Sequence, residues 1–274
     1  MTKVRYEVDG AVALVTIARP EVLNAMDQDV FFGLKEAAER AERDAEVRAV
    51  VLKGDGRAFS SGLDTSLFAA GIGGGSPLTL DIAALQRCFS VYETIGKPTI
   101  AAVGGLCLGG GIQLAAACDL RVAAEDAELA VYEIRWGIIP DLGGTQRLPR
   151  LIGLGRAKEL VMTGRKVGAA EALAWGLVNR VVPRDRLEEE TLTWARELAA
   201  GPPLAVAAAK RLAGSALDMP VSAGLEREVA VNRRLLATED FREAVTARFE
   251  KRPSPRRAST RFCSANTASA TSSA

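Results

Sequence analysis

The sequence predicts an α/β core followed by a helical C-terminal part. Short β-rich runs alternate with helix-period segments through the first half of the chain, and a glycine cluster sits between a strand and a helix. Over residues 203–250 only helical patterns remain. The 274 residues fit one large domain or two small ones, and a chain of this length buries a core without staples.

The elements follow in order. Val4–Val8 alternates in polarity and Val12–Ile17 is apolar, and Asp9-Gly10 between them signals a hairpin. Val30, Leu34, Ala37, Ala38 and Ala41 recur at helical spacing, with Asp27 or Asp29 as N-cap. Val47–Leu52 reads as a buried strand and Gly71–Pro77 as a glycine-rich surface loop. A helix over about 79–95 leads through Lys97-Pro98 into the strand Thr99–Val103. An apolar helix at about 110–117 and a strand at 119–123 come next. A strand at 177–182 precedes a helix at 185–200 that Asp185 and Glu188 open as a capping box. Residues 203–250 are helical, broken near Gly214 and Asp218-Met219-Pro220. The expected organisation is a core over 1–200, a helical part over 201–251 and a disordered Ser/Ala/Thr/Arg-rich tail over 252–274.

Composition narrows the function. Apolar residues make up 48% and charged residues 25%, an ordinary globular balance, and no run is long and apolar enough to span a membrane. The N-terminus lacks an apolar signal core, so a cytoplasmic protein is expected. A net charge of +1 gives no electrostatic case for nucleic acid. Cys88, Cys107, Cys118 and Cys263 lack CxxC spacing and read as thiols in a reducing compartment. The chain has no histidine, which removes His-based triads, proton shuttles and His-ligated zinc together. Ser60-Ser61-Gly62 is therefore not a hydrolase motif, and acid–base work falls to carboxylates, Tyr, Lys or Cys.

Three segments carry the candidate chemistry. Gly104–Gly111, between a strand and a helix, lets backbone approach a ligand and offers N–H groups at a helix start; tight strand–helix packing explains the same glycines. Its spacing is neither GxGxxG nor a P-loop. Arg57–Asp64 follows another strand, so each of the two loops can aim one N–H at a shared oxygen. In Tyr132–Pro149, Glu133 and Asp141 stand eight residues apart in apolar, aromatic and glycine-rich surroundings that raise a carboxyl pKa. Salt bridges to Arg135 or Arg147 are the plainer reading of either acid. Trp136 either packs in the core or desolvates Glu133, and packing is the simpler role for Tyr132.

In this order, and together with Arg19–Met26, Ala117–Arg121, Gly143–Pro149 and Thr238–Arg252, these segments resemble the crotonase superfamily, also called the enoyl-CoA hydratase/isomerase family. The resemblance covers about residues 4–251. It implies a ββα-spiral fold with a C-terminal helical trimerisation part, a homotrimer or homohexamer, and an acyl-CoA substrate whose CoA is not a separate cofactor. It also implies an oxyanion hole from the N–H groups of Leu63 and Gly110, with Ser61, Gly62, Asp64, Gly109, Gln113, Trp136 and Arg19 around the substrate. Basic residues near Arg19 would hold the adenosine part, whereas Lys210, Arg211, Arg227, Arg233 and Arg234 read as a solvated face or as CoA-phosphate ligands. Enolate chemistry of this kind needs no metal or redox group.

Family hydratases carry two glutamates; Glu133 matches the second, and Gln113 stands where the first belongs. An amide orients water but cannot take its proton. The dienoyl-CoA isomerases carry an acid where Asp141 stands, although their third acid also falls on Gln113. The expected activity is therefore double-bond isomerisation by Glu133 and Asp141. Enoyl-CoA hydration and a catalytically silent acyl-CoA binder are the alternatives.

Overall fold

A computed structural model of the chain describes residues 2–67 and 81–251. The expected loop at 71–77, the tail at 252–274 and Cys263 lie outside the described residues. The chain divides into two compact units, residues 1–199 and 200–274.

In the first unit, β1 (Val4–Asp9) pairs antiparallel with β2 (Val12–Ile17), Asp9 opposite Val12. The turn residues are thus Gly10 and Ala11, one step later than Asp9-Gly10. Gly10 takes φ +59° at the first turn position, where an L side chain is strained. Helix α1 (Gln28–Arg43) starts at Asp27, whose Oδ1 accepts the Val30 N–H at 3.1 Å. The apolar stripe from Val30 to Ala41 is buried.

Next come β3 (Ala49–Gly54), β4 (Ala58–Ser60), α2 (Ile82–Thr94), β5 (Thr99–Val103), β6 (Leu106–Leu108), α3 (Gly110–Ala117), β7 (Leu120–Ala124) and β8 (Glu128–Ala130). Then follow α4 (Gly144–Ile152), α5 (Leu154–Thr163), β9 (Val167–Gly168), α6 (Ala169–Trp175), β10 (Arg180–Val182) and α7 (Leu187–Ala199).

The strands form two sheets. One is six-stranded in the order β1-β2-β3-β5-β7-β10, parallel apart from the β1–β2 hairpin. The other is four-stranded in the order β4-β6-β8-β9, with β4, β6 and β8 parallel. The chain therefore repeats one step: a strand in the large sheet, a strand in the small sheet, then a helix or turn. β3-β4-α2 and β5-β6-α3 are successive steps, and β7-β8 begins the next. This is the ββα spiral.

The interior strands β2, β3, β5 and β7 are covered on both faces and are near-continuous apolar runs, whereas the edge strand β1 keeps an exposed face. Side-chain alternation sends Ala13, Val15, Ile17, Val50, Leu52, Ala101, Val103 and Ala123 into one core with α1 and α2. Val12, Ala49, Val51, Ile100, Ala102, Val122 and Ala124 go to a second core against Leu187, Ala195 and Ala199 of α7.

Several local expectations change. The helices α4, α5 and α6 and the small-sheet strands are absent from the sequence reading, the strands because two or three residues show no alternation. The strand expected at 177–182 begins only at Arg180: the N–H groups of Leu177 and Val178 turn back to the Ala172 carbonyl through the left-handed cap at Gly176. The capping box at Asp185 does not form. A 3-10 turn, Arg184–Arg186, precedes α7, and Glu188 instead pairs with Lys53.

The second unit holds α8 (Pro203–Gly214), α9 (Val221–Leu236) and α10 (Glu239–Phe249). The breaks near Gly214 and Pro220 stand where expected. A further break at Ala237 comes from Thr238, whose hydroxyl caps α10 by accepting the Phe241 N–H at 3.2 Å. Val221, Leu225 and Val229 leave an apolar stripe exposed on α9. Among the described residues no helix is long and apolar enough to cross a membrane.

Candidate active site

The spiral places three loops side by side, one at the C-terminal end of each of β4, β6 and β8. Leu63, Gly110 and Glu133 sit at equivalent places in these loops, two or three residues past the strand end. The first two loops meet backbone to backbone. A Cβ on Gly62 would lie 2.9 Å from the Leu108 carbonyl and 3.2 Å from the Gly110 nitrogen, and φ of +101° at Gly62 already demands glycine. Ser60 fixes this turn: its Oγ accepts the Gly62 N–H at 3.1 Å and donates to the Asn24 carbonyl at 2.8 Å.

The amides of both loops are directed by their neighbours. A parallel bridge joins Met26 to Leu63 through the Gly62 carbonyl (2.8 Å) and the Asp64 N–H (2.9 Å). Along an extended chain successive N–H groups alternate sides, so the Leu63 N–H faces away from Met26. Gly110 opens α3, where the first N–H groups have no intrahelical acceptor. Both residues line a cavity of about 340 Å³.

Glu133 and Asp141 line the same cavity. The sequence left ion pairs with Arg135 or Arg147 open for these acids, and the structure gives both cations other partners. Arg135 reaches the Gly164 carbonyl and lies over the Tyr132 ring, while Arg147 grips the Glu93 carboxylate and the Leu142 carbonyl.

Glu133 is buried at 7% exposure. Its Oε1 accepts the Gln113 amide at 2.6 Å, and its Oε2 is buried without a hydrogen bond. Burial pushes its carboxyl above the ordinary glutamate value. Hydrogen bonds from its own N–H and from Gln113 pull the other way, and the Asp141 charge adds to the rise. Burial raises Asp141 as well. Leaving a buried polar atom unpaired costs about 1–3 kcal/mol, and more when the group is ionised, so burial of Oε2 favours the neutral carboxyl.

The remaining expected residues divide into two groups. Ser61, Asp64, Gly109 and Trp136 are on the cavity wall; Trp136, at 61% exposure, is not a core residue. Gly62, Gln113 and Arg19 are off the wall, behind it. Arg19 is committed to Asp64 at 2.8 Å, Asp27 at 3.3 Å and the Ala25 carbonyl at 2.7 Å, so its guanidinium ties two loops together. Hydrogen bonds from Ser66 and Arg19 hold Asp64 down to about 2. Lys210, Arg211, Arg227, Arg233 and Arg234 belong to the second unit.

Sequence reasoning missed the apolar wall of Val22, Ala25, Ile138 and Leu142. Ile138 and Leu142 flank Asp141 in the run already singled out, and that proximity was the available signal. It also missed Asn24, buried with φ +56°, whose amide bonds the Asp55 and Ala58 carbonyls and the Arg19 N–H.

A family model described as Enoyl-CoA hydratase/isomerase matches residues 7–257. The short-chain-enoyl-CoA hydratase of Clostridium acetobutylicum is 36% identical over 92% of this chain and 96% of its own. The mitochondrial Delta(3,5)-Delta(2,4)-dienoyl-CoA isomerase of Dictyostelium discoideum is 34% identical over 88% of this chain and 86% of its own. A crystal structure of an enoyl-CoA hydratase from a Polaromonas species superposes with a TM-score of 0.88 at 31% identity, covering 92% of this chain and 98% of that one. The chain belongs to the enoyl-CoA hydratase/isomerase family, the crotonase superfamily, and is an enzyme of that type.

Proposed function

We propose that this enzyme shifts double bonds along an acyl-CoA chain, as a dienoyl-CoA-type isomerase, with Glu133 and Asp141 as its proton-transfer pair. The observation that carries the reading is the pairing itself: two carboxyls with raised pKa values and no cationic partner among the described residues line one cavity, while position 113 holds an amide bound to Glu133. Hydration needs one group to activate water and another to protonate carbon, and the amide at 113 supplies neither proton step.

In the proposed reaction the thioester oxygen sits at the N–H groups of Leu63 and Gly110. Ionised Glu133 takes a proton from the acyl chain, and the C–H electron pair moves through the conjugated system onto that oxygen. Each amide contributes about 3 kcal/mol of transition-state stabilisation. Protonated Asp141 then gives its proton to a carbon further along, the electrons return and the double bonds have moved. The two carboxyls end with exchanged protonation, which solvent resets. Water is not consumed.

A cytoplasmic, reducing location belongs to the same proposal, supported by the buried free thiols of Cys88, Cys107 and Cys118. So does the homotrimer or homohexamer, supported by the apolar stripe Val221, Leu225 and Val229.

The test is turnover of purified protein followed by the ultraviolet absorbance of conjugated thioesters. The expected result is rapid conversion of a 3,5-dienoyl-CoA to its 2,4 isomer, with 2-enoyl-CoA hydrated at least about a hundredfold more slowly. Faster hydration than isomerisation overturns the assignment in favour of the hydratases among the relatives. Binding without turnover of either substrate makes the chain a silent acyl-CoA binder.

A further inference from the structure

We infer that Gln113 is a positioning residue that selects which oxygen of Glu133 handles the proton, and that Gly144 sets it in that role. The inference rests on the reading of Glu133 as the base. The Gly144 N–H, at the start of α4, donates to the Gln113 Oε1 at 2.9 Å. A backbone N–H only donates, so the amide oxygen must face Gly144 and the amide nitrogen must face the other way. That nitrogen lies 2.6 Å from the Glu133 Oε1. Gln113 is itself fully buried, and turned over its NH2 would face the Gly144 N–H donor to donor, so the amide keeps this orientation.

The consequence concerns the Glu133 carboxylate. A proton on Oε1 would leave the Gln113 N–H facing a hydroxyl oxygen, a much poorer acceptor than a carboxylate or carbonyl oxygen, so Oε1 stays the acceptor. Oε2, buried and without a hydrogen bond, is the oxygen left to gain and lose the proton. A glutamate at 113 would lack this polarity: it donates to Glu133 only while protonated and repels it once ionised. The amide thus keeps Glu133 a single-proton base with a fixed working oxygen at every pH, and the second proton position is left to Asp141. Gln113 lies off the cavity wall, so this role leaves substrate contact untouched.

The test compares wild type with Gln113→Leu and Gln113→Glu by two independent readouts. One is the pH dependence of kcat and KM for isomerisation. The other is direct titration of the Glu133 carboxyl by carbon-13 NMR in substrate-free protein, assigned through Glu133→Gln. Gln113→Leu removes a hydrogen bond that favours the ionised form. The titration midpoint and the acid limb of kcat should both move to higher pH, with kcat at mildly acidic pH down about tenfold and KM within about twofold. Should Gln113→Leu fail to fold, Gln113→Glu keeps the size of the side chain and should add a second ionisation coupled to that of Glu133. An unmoved Glu133 midpoint in the folded variant overturns the inference, as does a change in KM alone. If wild type turns over no enoyl- or dienoyl-CoA while the midpoint still moves, the proposed activity fails and the Gln113–Glu133 coupling stands.

Discussion

The two sheets of the first unit are built from similar residues and do opposite work. The large sheet has strands of up to six residues, and its interior β2, β3 and β5, covered on both faces, are among the most buried segments of the chain. The small sheet has strands of two or three residues, glycines at its loop ends and backbone amides turned toward a cavity. The same spiral step supplies both, one strand to each. The large sheet therefore sets where the small one must lie, and the loops of the small sheet can carry positive φ angles, an unpaired buried carboxylate oxygen and close backbone contacts without unfolding.

The largest effect that sharpens this contrast is expected at Glu133. Glu133→Gln should lower kcat by about 10²–10⁴ while raising stability at neutral pH, because it removes a desolvated charge. The sign follows from proton linkage: the folded pKa lies above the unfolded one, so the native state holds more protons between them and stability falls as pH rises through that interval. The gain in Tm from the amide should therefore be present at pH 7–8 and vanish below the ordinary glutamate range. Thermal melts across pH check it; a loss of Tm at neutral pH would show that the charge supports the fold.

Next in size is a crossed pair. Leu52→Ala, in the core face of the large sheet, should cost about 2–5 kcal/mol with kcat and KM unchanged. Gly62→Ala, in a small-sheet loop, would press a methyl to 2.9 Å from the Leu108 carbonyl and disturb the neighbouring amides, lowering kcat by about 10²–10³. Denaturant unfolding and steady-state kinetics on both variants decide the matter, and exchanged outcomes would break the division between scaffold and site.

The smallest effect is at the Thr238 cap of α10. Thr238→Ala should lose about 1 kcal/mol, measured by denaturant midpoint, with little change in activity.

Legibility followed the same division. Val12–Ile17, Thr99–Val103 and the stripe of α1 were readable because sheet and helix periods leave a pattern over five residues or more. β4, β6 and β8 were not, being too short for any period, although the glycines beside them marked the loops that matter. Glu133 and Asp141 were visible as acids in an apolar run. Their lack of cationic partners among the described residues was not, because Arg135 and Arg147 stand in the same run and only packing sends them to Gly164 and Glu93.

By itself the sequence determined the chemistry available: no imidazole, two acids in apolar surroundings, an amide at 113 and an ordered set of glycine loops. The tertiary structure alone decided how these are used. Hydrogen-bond direction and burial are properties of neighbours far apart in the chain, such as Gly144 facing Gln113 and Gln113 facing Glu133, and no local pattern encodes which oxygen is left bare.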